Sequence, residues 1–287
     1  RFFLPYNQRE ITKKTGIVIP SLNQGNYIEE ALCSVIANKQ HADIMLVVMD
    51  GGSVDQTLSV IRKYEDHIDL WRSEPDGGQA DAINKGIQAL DGCDYLMWLN
   101  ADDVYEDAYA VKKIVDYAAE NGLDVCYGMS HFIDENGTIT GEYPVEPFHR
   151  AALADRCFLS QPGVLFSARA YEQTGPLNDR LRMCLDYEYW IRLARQYEFG
   201  FIREYIGATR MYAQTKTATM QAVHVNEAIG ILHRHYGKVP MHWLVTKALT
   251  RHPHGWMRRM PKRFLMLLLY PWKETMIRSS LREMEDD

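Results

Sequence analysis

Residues 95–104 read YLMWLNADDV. The run YLMWL has the length and composition of a strand buried on both faces. It stops against Asn100, Asp102 and Asp103, where two adjacent carboxylates repel each other. One explanation is local: Asp commonly opens a helix, and the next helical pattern begins at about Asp107. The other is chemical, because acids at a strand end form a hard oxygen site for Mg²⁺ or Mn²⁺, with the cation removing the repulsion.

Outward from that stretch the same grammar repeats. GIVIP (16–20) runs into SLNQGN and then a helical pattern from Tyr27 to Ala37. IMLVVMD (44–50) ends at DGGS before a helix expected over 54–64, and IDLWRS (68–73) ends at EPDGGQ before one over 79–90. Short apolar runs alternating with amphipathic segments predict βαβ units, hence an α/β fold with a largely parallel sheet. Every polar, Gly-rich cluster falls at the C-terminal end of a strand, the edge where open α/β sheets bind ligands. Beyond Asp124 the alternation weakens. DVCYGM reads as a further strand, Asn136-Gly137 as a hairpin turn, LDYEYWIRLARQ as a helix, and 220–236 as a long helix stopped by Gly237 and Pro240.

The chain is 287 residues long, enough for one large α/β domain with an extension. The net charge of −6 argues against a nucleic-acid binder, but it is unevenly spread. Between 251 and 282 eight Arg or Lys stand against one acid, Glu274, so that segment carries +7 and the remainder −13. Five scattered cysteines without a C-x-x-C pair fit free thiols in a reducing cytoplasm. The opening RFFLPYNQRE lacks a signal-peptide pattern and begins without Met, which suggests that a true N-terminus lies upstream. The longest apolar run, FLMLLLY, is far short of a bilayer span.

Individual motifs remain ambiguous by themselves. Asp50 in DGGSVDQT is either a turn residue or a carboxylate that meets a nucleotide's base or ribose, with Gly51 and Gly52 admitting the ligand. Ser21 and Asn23 are either loop residues or contacts to the same crevice. Asp76 reads as a turn residue, and Asp81 as a first-turn acid favoured by the helix dipole. Neither G-x-G-x-x-G nor G-x-x-x-x-G-K-[ST] is present, which removes the main support for dehydrogenase and P-loop readings.

Taken in order, IVIPSLNQGNYIEEALCSV, VVMDGGSVDQT, EPDGGQADAINKG, WLNADD and LDYEYWIRLA resemble the inverting glycosyltransferases of family 2 over about 15–237. The resemblance implies a GT-A fold, Rossmann-like with a mostly parallel sheet flanked by helices. It implies a glycosyltransferase domain over 1–240, with a nucleotide-binding half over about 15–125 and an acceptor-side half over 126–240. Ser21, Asn23, Asp50, Gln79, Asp81 and Asn100 would contact the nucleotide or donor sugar. Asp102, at the second acid of an Asp-x-Asp motif whose first acid is here Asn100, would hold Mn²⁺ or Mg²⁺ with help from Asp103. Asp186, at the start of its helix, would be the catalytic base, with Glu188 its rival; the two point about 200° apart, so only one can face the cleft. Tyr212 stands where some relatives carry a metal- or phosphate-binding His, and Lys216 is a candidate phosphate contact. Arg192 is expected to be a structural ion-pair partner, and His224, His233 and His235 to take surface or packing roles rather than bind metal.

The implied activity is inverting transfer from a UDP- or dTDP-type nucleotide diphosphate sugar to a hydroxyl of a glycan or lipid-linked glycan, as in bacterial polysaccharide assembly. The alternatives are a sugar-phosphate nucleotidyltransferase, against which SLNQGNY lacks a basic loop, and a non-catalytic nucleotide-sugar binding module. The basic, aromatic segment 241–287 is expected to be a helical extension. It would either contact an anionic membrane surface through 251–282, making the protein peripheral at the inner face of the cell membrane, or pack on the domain or a second subunit.

Overall fold

The computed structural model describes residues 13–251 and 260–286; the opening segment through residue 12, the stretch 252–259 with Trp256, and residue 287 lie outside the described residues. The first half runs β1 (Thr15–Ser21), α1 (Ile28–Asn38), β2 (Ile44–Asp50), α2 (Thr57–Lys63), β3 (Leu70–Ser73), α3 (Gln79–Gln88) and β4 (Tyr95–Trp98). It continues with β5 (Val104–Tyr105), α4 (Ala110–Glu120), β6 (Val125–Ile133), β7 (Ile139–Glu142), β8 (Val164–Ser167) and α5 (Ala168–Thr174). Next come α6 (Leu185–Leu193), β9 (Gly200–Arg210), α7 (Lys216–Thr219) and α8 (Gln221–Tyr236), then α9 (Met241–Arg251), α10 (Lys262–Leu269) and α11 (Lys273–Asp286).

Strand β1 is buried along its whole length because both faces of the sheet are covered. Alternate side chains serve the two faces. Ile17 and Ile19 join Leu32 and Val35 of α1 and Ile114 of α4, whereas Val18 joins Ile83 and Ile87 of α3 and Trp190 of α6. Gly86 lets α3 close on β1, since a Cβ there would lie 2.4 Å from Val18 Cγ1.

The strand order is β3-β2-β1-β4-β8-β6-β9-β5, with β7 beside β6. The first four strands are mutually parallel. Because β1 lies between β2 and β4, the chain switches direction there, and a crevice opens beyond the C-terminal ends of β1 and β4. The second half is mixed: β8 runs antiparallel to β4 and β6, and β9 parallel to β6. The two-residue β5 pairs antiparallel with the end of β9, Val104 opposite Ala208. That pairing brings Asp102 and Asp103 beside Arg210.

The β6–β7 hairpin turns where expected, with Gly137 at φ +79°. Helix α2 begins three residues later than the expected Val54, because Asp55 accepts from Thr57 N at 2.9 Å and Gly25 N at 3.0 Å and holds its surroundings as a turn. The C-terminal helices are present. Leu244 of α9 and Ile277 of α11 join the apolar cluster of Ala228, Ile229 and Leu232 on α8, while α10 buries only Leu265. Among the described residues no helix is long and apolar enough to cross a membrane.

Candidate active site

A cleft of about 380 Å³ opens at the switch between β1 and β4. Ser21, Gln79, Asn100, Asp102, Asp103 and Asp186 all line it, so six residues singled out in the sequence converge there from four separate segments. Asn23, Asp50 and Asp81 do not line it, and the reason is local hydrogen bonding. Asp50 is buried, with its carboxylate accepting from Gly52 N at 3.1 Å, Ser53 N at 2.8 Å, Ser73 Oγ at 2.7 Å and the Ser53 hydroxyl. Asn23, at φ +52°, accepts from Val54 N and donates its own amide to Ser53 Oγ, tying the loop after β1 to the loop after β2. Asp81 accepts from Gly77 N and Lys85 Nζ, and these two donors hold its carboxyl below the usual range.

From the same loops, Asp76 does reach the cleft, held by Gly78 N at 2.8 Å. Gly78 itself sits at φ +116°, a conformation that favours glycine, and the turn it makes delivers Gln79 to the start of α3. The sequence reading treated Asp76 as a turn residue only.

The acidic pair is resolved by pointing its members at different partners. Asp103 is buried, and its carboxyl accepts from Arg210 N at 2.9 Å and Asn100 Nδ2 at 2.9 Å. Burial, then the neighbouring Asp102 charge, pushes it well above the ordinary carboxylate value. Both oxygens of the expected auxiliary metal ligand thus face protein donors. Asp102 is only half-buried and accepts from the Tyr212 hydroxyl at 3.1 Å through Oδ2. Burial raises it too, opposed by the Tyr212 hydrogen bond and by Arg210 and Lys216.

A chain of hydrogen bonds fixes the cleft floor. Lys216 Nζ donates to Gln79 Oε1 at 2.9 Å, Gln79 Nε2 to Asn100 Oδ1 at 2.7 Å, and Asn100 in turn to Asp103. Burial lowers the pKa of Lys216. Arg210, unremarked in the sequence, anchors the far end. Its buried guanidinium donates to Asp102 O, Asp134 O, Glu135 O and Glu30 Oε2, and lies 5.1 Å from the centre of the Tyr27 ring.

Asp186 enters from the first turn of α6. One oxygen accepts from Tyr187 N at 2.7 Å, and burial raises its pKa to about 6. The turn before it is gripped by Glu227 of α8, which accepts from Arg182 N, Met183 N and Cys184 N at 2.7–2.9 Å. Nothing in the local sequence marks Glu227, whose partners lie more than forty residues away. Glu188 points elsewhere. It is buried against Arg192 at 2.9 Å and His235 at 3.1 Å, and although burial opposes it, those two partners hold its carboxyl below the usual range. Arg192 also donates to Thr174 O and Pro176 O, a structural role as expected.

Trp98, Tyr143, Pro162 and Met183 supply apolar wall to the cleft, and Arg182 and Lys216 supply positive charge. Ser21 Oγ and Gln161 Oε1 are buried at its lining without a hydrogen-bond partner among the described residues, two polar atoms available to a ligand.

Among the described residues no group of three or more His, Cys, Asp or Glu is arranged to hold a metal ion. A Mg²⁺- or Mn²⁺-type ion nonetheless suits one carboxylate, since such ions are commonly bound through one or two carboxylates plus substrate phosphates and water. Asp102, buried enough to be raised and engaged by a single phenol, is that kind of donor.

Residues 16–173 match the family description "Glycosyl transferase family 2". An uncharacterized glycosyltransferase of Rickettsia felis is 28% identical over 212 residues, covering 69% of this chain; the chain spans only about a third of that relative's length, 34%. S. aureus TarS 1-349 in complex with UDP-GlcNAc superimposes with a TM-score of 0.63 at 14% identity, covering 82% of this chain and 70% of that one. The mannosyltransferase PcManGT from Pyrobaculum calidifontis, in complex with GDP-Man and Mn²⁺, gives 0.60 at 14% identity over 95% of this chain and 75% of that one. At these identities the structures speak to fold, and they share the α/β sheet with flanking helices described above.

Proposed function

The chain belongs to glycosyl transferase family 2 and carries the GT-A fold; on that premise we propose that it is an inverting glycosyltransferase using a nucleotide diphosphate sugar of UDP or dTDP type. The observation that carries this reading is the placement of Asp186 and Asp102 on one cleft, with Asp186 raised to about 6 and its second oxygen not taken by a described donor. A carboxylate near 6 is mostly ionised at neutral pH yet basic enough to take a proton during attack.

The acceptor is a hydroxyl of a glycan or lipid-linked glycan. Asp186 removes its proton as the oxygen attacks the anomeric carbon. The bond from that carbon to the phosphate oxygen breaks, and the nucleoside diphosphate departs with the electron pair. A single in-line displacement inverts the anomeric centre. Lys216 and Arg182, which line the cleft, would serve as cations for the diphosphate, and Ser21 and Asp76, also on its lining, would meet the nucleotide. Gln79 and Asn100 order the floor between them.

Asp102 would hold Mn²⁺ or Mg²⁺ together with the donor's phosphates. When bound, the ion neutralises charge developing on the leaving diphosphate. Asp103, with both oxygens engaged by Asn100 and Arg210, supports the turn rather than ligating.

The test is a panel of nucleotide sugars incubated with Mn²⁺ or Mg²⁺, followed by NMR of the anomeric configuration of the product. One donor should be turned over with inversion and should stabilise the protein thermally. Retention of configuration, or a panel in which no donor is bound or turned over, would remove the proposal.

A further inference from the structure

The surface of α10 is inverted relative to a helix of a soluble domain. Only Leu265 is buried, while Phe264 is 50% exposed, Leu267 74% and Leu268 45%, at the i, i+3, i+4 spacing that puts them on one outward stripe. The turn that follows adds Tyr270 at 65% and Trp272 at 62%. Half of the exposed large hydrophobic residues of the described chain therefore fall within nine residues, five of the ten. Contiguous apolar exposure of this kind marks a contact surface.

Charge identifies what it contacts. Lys262 and Arg263 precede the stripe, with the Arg263 guanidinium 5.7 Å from the centre of the Phe264 ring, and Lys273 follows it. Arg278 and Arg282 are exposed on α11. The segment 251–282 carries +7 in a chain whose remainder is −13. A second copy would set this cationic stripe against its own like charge, whereas an anionic bilayer offers opposite charge beside hydrocarbon and a headgroup layer that favours Tyr and Trp. We infer that α10 and the turn through Trp272 form a membrane-contacting element that seats the protein on an anionic lipid surface. The element lies apart from the cleft and does not depend on the reaction assigned to it. A surface-seated enzyme meets acceptors carried on lipid at a raised local concentration.

The experiment is co-sedimentation of the full chain with phosphatidylcholine vesicles, with and without about 30% phosphatidylglycerol. The expected result is at least roughly tenfold tighter binding to the anionic vesicles, most of it lost in about 0.5 M salt and in Leu267→Glu/Leu268→Glu. Equal binding to neutral vesicles, no binding, or binding unchanged by that double substitution overturns the inference. So does a dimer in analytical ultracentrifugation that the substitution dissolves. Quenching of the unmodified protein's tryptophan fluorescence by brominated anionic lipid checks the same point without any variant. Quenching is expected, and its absence counts against insertion.

Discussion

The Tyr212 hydroxyl donates to Asp102 Oδ2 at 3.1 Å, joining the loop after β9 to the strand-end acid across 110 residues of sequence. The phenol stabilises the ionised form of a carboxylate that burial raises. Tyr212→Phe should cost about 1 kcal/mol of stability in the absence of divalent ions, read by urea unfolding. Mn²⁺ with UDP should then raise the melting temperature of the variant more than that of the unmodified protein, because the ion takes the acceptor left unpaired. An identical metal response in both proteins, or one that survives Asp102→Ala, would contradict the placement of the ion.

Asp186 sets a pH profile with a defined sign. Its folded-state value near 6 lies above the ordinary 3.8, so the folded chain binds this proton more tightly than the unfolded chain. Between those values stability falls as pH rises, and at neutral pH the ionised group costs about 3 kcal/mol. Asp186→Asn should therefore be more stable than the unmodified protein at pH 7, by about 1–2 kcal/mol, while turnover drops roughly 10²–10⁴-fold. Turnover of the unmodified protein should decline below about pH 6 as the base protonates. A variant that is both inactive and less stable would point to a structural role.

Glu188 gives the opposite pattern. Its pair with Arg192 and His235 is buried, so Glu188→Ala leaves buried charge without its partner and should destabilise by about 3–5 kcal/mol. Because the folded pKa is depressed, the stabilisation is present above the ordinary value of 4.5 and is lost as pH falls through the lower folded value. Turnover per folded molecule should stay within about threefold, which guanidine unfolding combined with active-site titration would resolve. A loss comparable to that of Asp186→Asn would exchange the roles of the two acids.

Glu227 acts through the backbone it holds. Glu227→Ala strands three amide donors in front of α6 and should cost about 3 kcal/mol. Glu227→Gln, which keeps an acceptor, should recover part of that stability. If the carboxylate positions Asp186, kcat should fall in the alanine variant with little change in donor KM, and the glutamine variant should restore it in part. Parallel losses in kcat and KM would show general loosening instead.

The sheet edge was legible because apolar runs of strand length stop abruptly at polar clusters, and such stops have one geometric meaning in a parallel sheet. YLMWL and the helix after Cys184 accordingly bring Asp102 and Asp186 to the cleft. Loop carboxylates were harder to read. Asp50 and Asp81 lie among Gly and Ser whose amides and hydroxyls bind them within a few residues, and sequence does not tell a carboxylate that serves its own turn from one that serves a ligand. Arg210 and Glu227 were invisible for a different reason. Their value lies in partners 108 and 43 residues away, brought to Arg210 by the mixed half of the sheet and to Glu227 by the seating of α8 against the turn before α6.

The two-residue pairing of β5 with β9 also orders events in time. Asp103 meets Arg210 across 107 residues, so the floor of the cleft closes only after the last strand has docked. A chain emerging from the ribosome will have completed its parallel half before the cleft floor can close. Pulse-labelled hydrogen exchange should show amides of β1 and β2 protected ahead of those at Asp103 and Arg210. Until that strand is made, the parallel half carries an acid pair whose buried member has no Arg210 amide from which to accept a hydrogen bond.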